Sequence, residues 1–282
     1  MHLPKKESLT IAGIFINGFL FLIKFVVGIF SGSLGLLSDA LNSLTDLFAS
    51  FFIHIAVLVS QKKPDERHPF GYHRAEPLAA ILVAIFAAIL GFEVLQDAIM
   101  SFFEQHSVRY PMIAIAVLLL TIVVKSTMAY LFLAKSKQSP ALKATGIDSR
   151  NDVLVSSVAL FGIVCSIFGI PYADKVAAII ISGFIFHFAY RLSMENVDYL
   201  MGRAPPRWIV RKIHRAALDV QGVSGINDVF AHYVGQYIHI EIHIEMDKKL
   251  PLDKAHDIGK RVQHAIEDMQ EVDRAFIHID PR

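Results

Sequence analysis

Asn42-Ser43-Leu44-Thr45-Asp46 and Asp148-Ser149-Arg150-Asn151-Asp152 each set two oxygen-bearing side chains four residues apart within an otherwise apolar stretch. Residues i and i+4 share one face of an α-helix, so each segment presents its two side chains together. A carboxylate inside a membrane helix is disfavoured by roughly 2.5 to 3.5 kcal/mol on insertion scales, which makes such a residue a functional candidate by default. Two pairs on two helices amount to a four-ligand cage for a cation: Asn42, Asp46, Asp148 and Asp152. The competing reading is a buried polar network that fixes helix register. Clustered acids with no cation among them repel strongly, which weighs against it. Asp39, one turn before Asn42, either faces the same cavity or marks the helix entry, and Arg150 belongs to another face of its helix.

The elements that must position these residues are membrane helices. Of 282 residues 54% are apolar and only 19% charged, with a mean hydropathy of +0.48, more apolar than a soluble chain of this length. The 27 basic and 26 acidic residues nearly cancel and carry no footprint of a nucleic-acid partner. Cys165 stands alone in an apolar run, which excludes an intrachain disulfide and a thiolate cluster. Six stretches are long enough to span a bilayer: Leu9–Phe30, Leu34–Val59, Pro77–Phe103, Tyr110–Ala134, Ile147–Ile170 and Tyr172–Leu200. The first, preceded by Lys5 and Lys6, is too long for a signal peptide and reads as a retained helix.

The connections orient the bundle. Lys62, Lys63, Arg67 and Arg74 fall in the second loop, and Lys135, Lys137 and Lys143 in and after the fourth. Ser31-Gly32-Ser33 and Gly169-Ile170-Pro171 carry no charge, and the third loop offers Arg109. The positive-inside rule then puts both termini in the cytoplasm, as an even number of crossings requires. A cytoplasmic, inner or plasma membrane of a bacterium is the expected location. Lys24 and Lys125, within the spans, are expected to snorkel or to pair with acids across the bundle.

Beyond Met201 the chain changes character, with Pro205-Pro206 at the junction, so residues 1–202 and 203–282 are expected to form separate domains. Pro206–Val220 reads as an amphipathic helix through Ile209, Ile213, Ala216 and Val220. Tyr237–Met246 alternates strictly, with Ile238, Ile240, Ile242, Ile244 and Met246 on one side. A strand near Val229–Val234, a helix over Asp253–Met269 and a strand over Ala275–Asp280 complete a small α+β, ferredoxin-like domain with its helices on one face of the sheet. The other face is left to solvent or a partner.

These motifs resemble the cation diffusion facilitator family of divalent-metal exporters, collinearly over essentially the whole chain. The resemblance runs through Ser31-Gly32-Ser33, SDALNSLTD at 38–46, HPFGYHRAE at 68–76 and DSRND at 148–152, then GVSGINDV at 222–229, IHIEM at 242–246, LPLDKAH at 250–256 and IHIDP at 277–281. It implies a homodimer that exchanges a metal ion for protons by alternating access. Zinc-transporting members have Asp where this chain has Asn42 and His where it has Asp148. The resulting donors are all oxygen. Zinc favours nitrogen or sulfur ligands, whereas an all-oxygen set suits harder cations such as manganese(II). The Asn-Asp-Asp-Asp pattern is likewise associated with the family's manganese exporters, with iron(II), zinc and cobalt as alternative cargoes.

The resemblance implies two further metal sites. A loop site would use Asp65 and His68, although Tyr72 replaces a histidine there and a solvated turn is the competing reading. In the tail, His243 lies on the polar side of its strand, and His278 and Asp280 share a face of theirs. With His256 they match family positions that bind regulatory metal between protomers. Asn227 stands where zinc-type members have His, with His232 as a possible replacement. Two other classes compete: a non-transporting metal sensor or scaffold, and an intramembrane aspartyl protease. The protease signature Gly-x-Gly-Asp is absent, and no enzymatic activity or cofactor is expected.

Overall fold

A computed structural model describes residues 6–103, 109–134, 140–170, 172–235 and 237–282, with side chains from residue 15 onward except 140–144. Lys5, Lys135, Lys137, the side chain of Lys143 and Pro171 lie outside the described residues. Among those described, six long helices come first: α1 (Lys6–Ser31), α2 (Leu34–Ser60), α3 (Ala75–Met100), α4 (Pro111–Ala134), α5 (Pro140–Ile167) and α6 (Ala173–Leu200). Five of them are long and apolar enough to cross a bilayer; the described part of α1, Phe15–Ser31, is apolar but shorter. The fifth helix departs most from expectation, starting at Pro140 and ending at Ile167. Proline is favoured at a first helical position, and Gly169 ends the run with φ +90°. Pro77 sits within the first turn of α3, where a missing N–H costs no helical bond.

Sequence spacing explains which helix faces turn outward. Phe15, Phe19, Leu22, Val26 and Ile29 form one exposed stripe along α1, the face for lipid, while Leu20 and Lys24 point inward. The buried seam joins Leu36, Ala87, Ala114, Leu118, Ala159, Ile163, Ile181 and Ile185. Alanines there allow backbones to approach closely. The start of α2 is fixed by a carboxylate from another helix: Asp174 of α6 accepts from Ser33 Oγ (2.7 Å), Leu34 N (2.8 Å) and Gly35 N (3.3 Å). Gly35 is required by this approach, since a Cβ would lie 2.8 Å from an Asp174 oxygen.

Ile53–Ile81 and Met194–Arg282 form one compact unit, and the other described residues up to Ser193 form a second. Within the first of these, α7 (Arg207–Leu218), β1 (Gly225–Val234), β2 (Tyr237–Met246), α8 (Leu252–Glu267) and β3 (Val272–Pro281) follow in the expected order. The strands lie β1-β2-β3, the first pair antiparallel and the second parallel, so α8 serves as the crossover. Ile238, Ile240, Ile242, Ile244 and Met246 are buried against Ile209 and Ile213 of α7 and Ile258, Val262 and Ile266 of α8. The strict alternation of β2 is realised. β1 begins earlier than expected because its register shifts between Ile226 and Val229, which breaks the period-2 pattern that sequence reading depends on.

One residue of the polar face is not solvated. His239 is buried: its Nε2 lies 2.9 Å from Asp273 Oδ2, and the Phe70 ring stands 5.7 Å away. Arg274 Nη2 donates to the Pro69 carbonyl (3.2 Å) and its guanidinium stacks on Phe70 at 5.3 Å. The α2–α3 loop therefore covers part of the sheet face that helices leave open.

Replacing Asp174 with Ala strips the start of α2 of three hydrogen bonds. The expected loss is about 1 to 2 kcal/mol, the scale of a helix cap. It should show as a lower thermal midpoint of the purified full chain, with Asp174→Asn, which keeps one acceptor oxygen, falling between.

Candidate metal centre

The helices bring three of the four intramembrane candidates into contact. Asn42 and Asp46 come from α2, Asp148 and Asp152 from α5. Asn42 Nδ2 donates to Asp152 Oδ1 (3.4 Å), and Asp46 lies within hydrogen-bonding reach of the Asp152 side chain. Asp152 is buried, Asn42 and Asp46 are half-buried, and Asp148 is exposed. Asp148 and Lys125 are near enough to Asp46 to act on it electrostatically.

Lys125 of α4 takes the second oxygen of Asp152 in a buried ion pair. Of the two expectations for this lysine, pairing across the bundle is the one realised, and its partner is a candidate metal ligand. As arranged, Asp46, Asp148 and Asp152 do not converge on a single point. Among the described residues only His243, His278 and Asp280 bring three such ligand atoms within 4.8 Å of one another. Asp46 and Asp152 lie close together, Asp148 is exposed, and the Lys125 ammonium occupies one Asp152 oxygen.

A second buried pair joins Lys24 of α1 to Asp39 of α2, one turn before Asn42. Lys24 Nζ donates to Asp39 Oδ1 (3.1 Å), the Asp39 carbonyl (3.3 Å) and Ser43 Oγ (2.5 Å). Ser156 Oγ donates to Asp39 Oδ2 (2.8 Å). All three ammonium hydrogens are used, and α1, α2 and α5 are tied together. Asp39 is thereby placed in a structural network and not among the four candidates. Sequence reading left its role open because Lys24 and Ser156 are remote in the chain.

In the tail, His243 Nδ1 lies 3.7 Å from Asp280 Oδ2, His278 Nε2 lies 3.3 Å from Asp280 Oδ1, and the two rings are 4.5 Å apart. β2 and β3 pair in parallel with His243 opposite His278, which sets the rings side by side. Asn227 Nδ2 donates to Asp280 Oδ2 (2.7 Å), orienting the carboxylate. His256 is not part of this group: it is exposed on α8, which packs on the opposite, apolar face of the sheet. His232 does not replace Asn227 either, since its ring faces that of His239 at 6.0 Å.

The loop candidates form a turn. Asp65 Oδ1 accepts from the backbone N–H of Arg67 (3.0 Å) and His68 (2.7 Å), and Oδ2 accepts from Tyr72 Oη (2.6 Å). His68 Nδ1 stands 3.4 Å from Asp65 Oδ1, and Gly71 supplies the left-handed residue at φ +77°. The Tyr72 hydroxyl, then these backbone bonds, hold the Asp65 carboxyl below the usual carboxylate range. Its lone pairs are committed to the turn.

Comparison with known proteins identifies the family. Residues 10–201 match the cation efflux transmembrane domain, and residues 205–282 the cytoplasmic domain of cation efflux proteins. An uncharacterized transporter of Methanocaldococcus jannaschii is 36% identical over 281 residues, covering 99% of this chain and 98% of its own. The manganese efflux system protein MneS of Bacillus subtilis is 30% identical, covering 99% and 97%. MneP of the same organism is 26% identical, covering 92% and 90%. The chain belongs to the cation efflux, or cation diffusion facilitator, family. It is a multi-pass membrane protein for divalent metal cation efflux, with a helical membrane domain followed by a small α/β domain.

Because the folded Asp65 value is depressed, the stability that this carboxylate gives the turn is full above the ordinary aspartate range and is lost as pH falls through the depressed value. The protection of the Arg67 and His68 amides, exchange rates corrected for their intrinsic pH dependence, should therefore be kept at neutral pH and fall only in acid. In Tyr72→Phe the Asp65 titration, followed by carboxyl NMR, should move up toward the ordinary aspartate value.

Proposed function

We propose that this chain exports manganese(II) from the cytoplasm in exchange for protons. The observation that carries the reading is the donor set on α2 and α5, which is oxygen throughout: Asn42, Asp46, Asp148 and Asp152. Hard oxygen donors suit manganese better than zinc, which seeks nitrogen or sulfur. Two full-length relatives described as manganese efflux proteins support the same cargo.

All six long helices span the membrane in this reading, with both termini cytoplasmic. Lys62, Lys63, Arg67 and Arg74 between α2 and α3 mark the inner side. The membrane is the cell's plasma (inner) membrane, and residues 203–282 form the cytoplasmic dimerisation domain of a homodimer. Metal enters from the cytoplasm, gathers Asp46, Asp148 and Asp152 around it, and sheds much of its water. On the far side protons take its place on the carboxylates. The site holds no imidazole among its four donors, so carboxylates must carry the coupling.

His243, His278 and Asp280 form a second, regulatory metal site in the tail, to which His256 is contributed by the other protomer. Two imidazoles and a carboxylate form a softer set than the membrane site, so this one discriminates less against zinc. Asp65 and His68 are read as a turn, given the commitment of the Asp65 oxygens.

The deciding measurement is metal flux in proteoliposomes under an imposed pH gradient, with manganese, iron, zinc and cobalt presented separately. Manganese should move uphill, and Asp46→Ala or Asp152→Ala should abolish the flux. Asp148→His, which restores a nitrogen donor, should raise zinc flux relative to manganese. Zinc flux without manganese in the unmodified chain would retain the family and reject the cargo assignment. His278→Ala should remove one metal equivalent from equilibrium binding while leaving flux through the membrane site measurable.

A further inference from the structure

We propose that Lys125 is a tethered counter-cation of the transport site, whose ammonium competes with the divalent cargo for Asp152 and so sets how weakly the cargo is held. The proposal rests on the transport-site reading above and adds a residue from a third helix, α4, to it.

The geometry of Asp152 is the starting point. One oxygen accepts from Asn42 Nδ2 at 3.4 Å, and the other is held by Lys125. Both members of the ion pair are buried, so no water competes for either charge. A carboxylate only accepts hydrogen bonds, so Asn42 must present its nitrogen to Asp152 and turn its oxygen elsewhere. A metal ion that uses Asp152 and Asn42 must therefore do two things. It must dislodge the ammonium, and it must free the amide to rotate its oxygen inward. Both steps oppose binding.

Lys24, also buried, shows the contrast. Lys24 spends all three hydrogens on Asp39 and Ser43 and touches none of the four candidates. That ammonium is locked. Among the described residues, Lys125 has a single hydrogen-bonding partner, Asp152, at the end of a long flexible stem. An ammonium held by one bond is the one that can swing away and return.

Charge counting points the same way. With their carboxyls ionised, Asp46, Asp148 and Asp152 carry three negative charges, and Lys125 reduces the total to two. A divalent ion then brings the group to neutrality. Without the lysine, the loaded site would retain a negative charge in a low-dielectric setting and would grip its cargo harder. An exporter needs the reverse, a site that binds and then lets go.

The test is manganese(II) affinity of the purified full chain at one pH, measured by competition with a fluorescent chelator. Lys125→Met, apolar and of similar length, should bind manganese about tenfold or more tightly than the unmodified chain, a gain of about 1.4 kcal/mol per decade. Lys125→Arg keeps the charge and should stay near the unmodified affinity. Lys24→Met removes an ammonium that touches no candidate ligand and should leave affinity unchanged. A purely structural role for Lys125 predicts weaker binding in Lys125→Met, so affinity that is unaltered or reduced would overturn the proposal. If Lys125→Met is unstable, the readout becomes the rise in thermal midpoint on adding manganese. A larger rise than in the unmodified chain supports competition, and an equal or smaller one rejects it. Asp46→Ala separates the two readings. Equal binding by it and the unmodified chain removes the site, and this proposal with it; weak binding by it beside unaltered Lys125→Met rejects the lysine alone.

Discussion

Charge placed among apolar helices must be balanced within a few ångströms, because no solvent is present to do it. This requirement organises the membrane part of the chain. Two lysine–aspartate pairs are buried between helices, Lys24 of α1 with Asp39 of α2 and Lys125 of α4 with Asp152 of α5. They differ in how completely they are satisfied. The Lys24 pair is closed by Ser43 and Ser156 and holds three helices in register. The Lys125 pair includes Asp152, one of the four candidate ligands. One pair ties the bundle together, and the other lies at the proposed transport site.

Much of this was legible in the sequence. The i, i+4 pairs, the alternation of β2 and the helix-strand-strand-helix-strand order each follow from a local period, and local periods survive in any fold. Pairings between distant residues leave no such trace. Nothing near Asp152 in the chain announces Lys125, nor anything near Leu34 the carboxylate of Asp174. Within one chain His256 sits on a helix that packs on the apolar face of the sheet, away from His243 and His278, so the role its position in the sequence suggests would have to come from a second copy. His239 looked like a solvated strand residue because its alternation was right. Only the loop carrying Phe70 buries it.

The chain carries two candidate donor groups of different character. The membrane group is oxygen only; the tail group joins two imidazoles to a carboxylate already positioned by Asn227. The contrast in donor chemistry means the two need not answer to one metal, or to one concentration of it. The tail trio is preassembled by a parallel strand register, whereas the three membrane carboxylates do not gather on one point. Preassembly favours ready binding at the cost of adjustability, and the open arrangement does the opposite.

The grip of Asp174 on the first amides of α2 has a mechanical meaning. A helix fastened through its own backbone N–H groups cannot ratchet along its axis without tearing those bonds, but it can tilt about them. Leu34 would be the pivot of such a tilt, with Asn42 about 12 Å and Asp46 about 18 Å along the rod at 1.5 Å per residue. A swing of roughly 10° would carry Asp46 about 3 Å sideways while leaving the pinned end where it is. A displacement of that size exceeds the length of a metal–oxygen bond to a hard cation, about 2.0 to 2.6 Å.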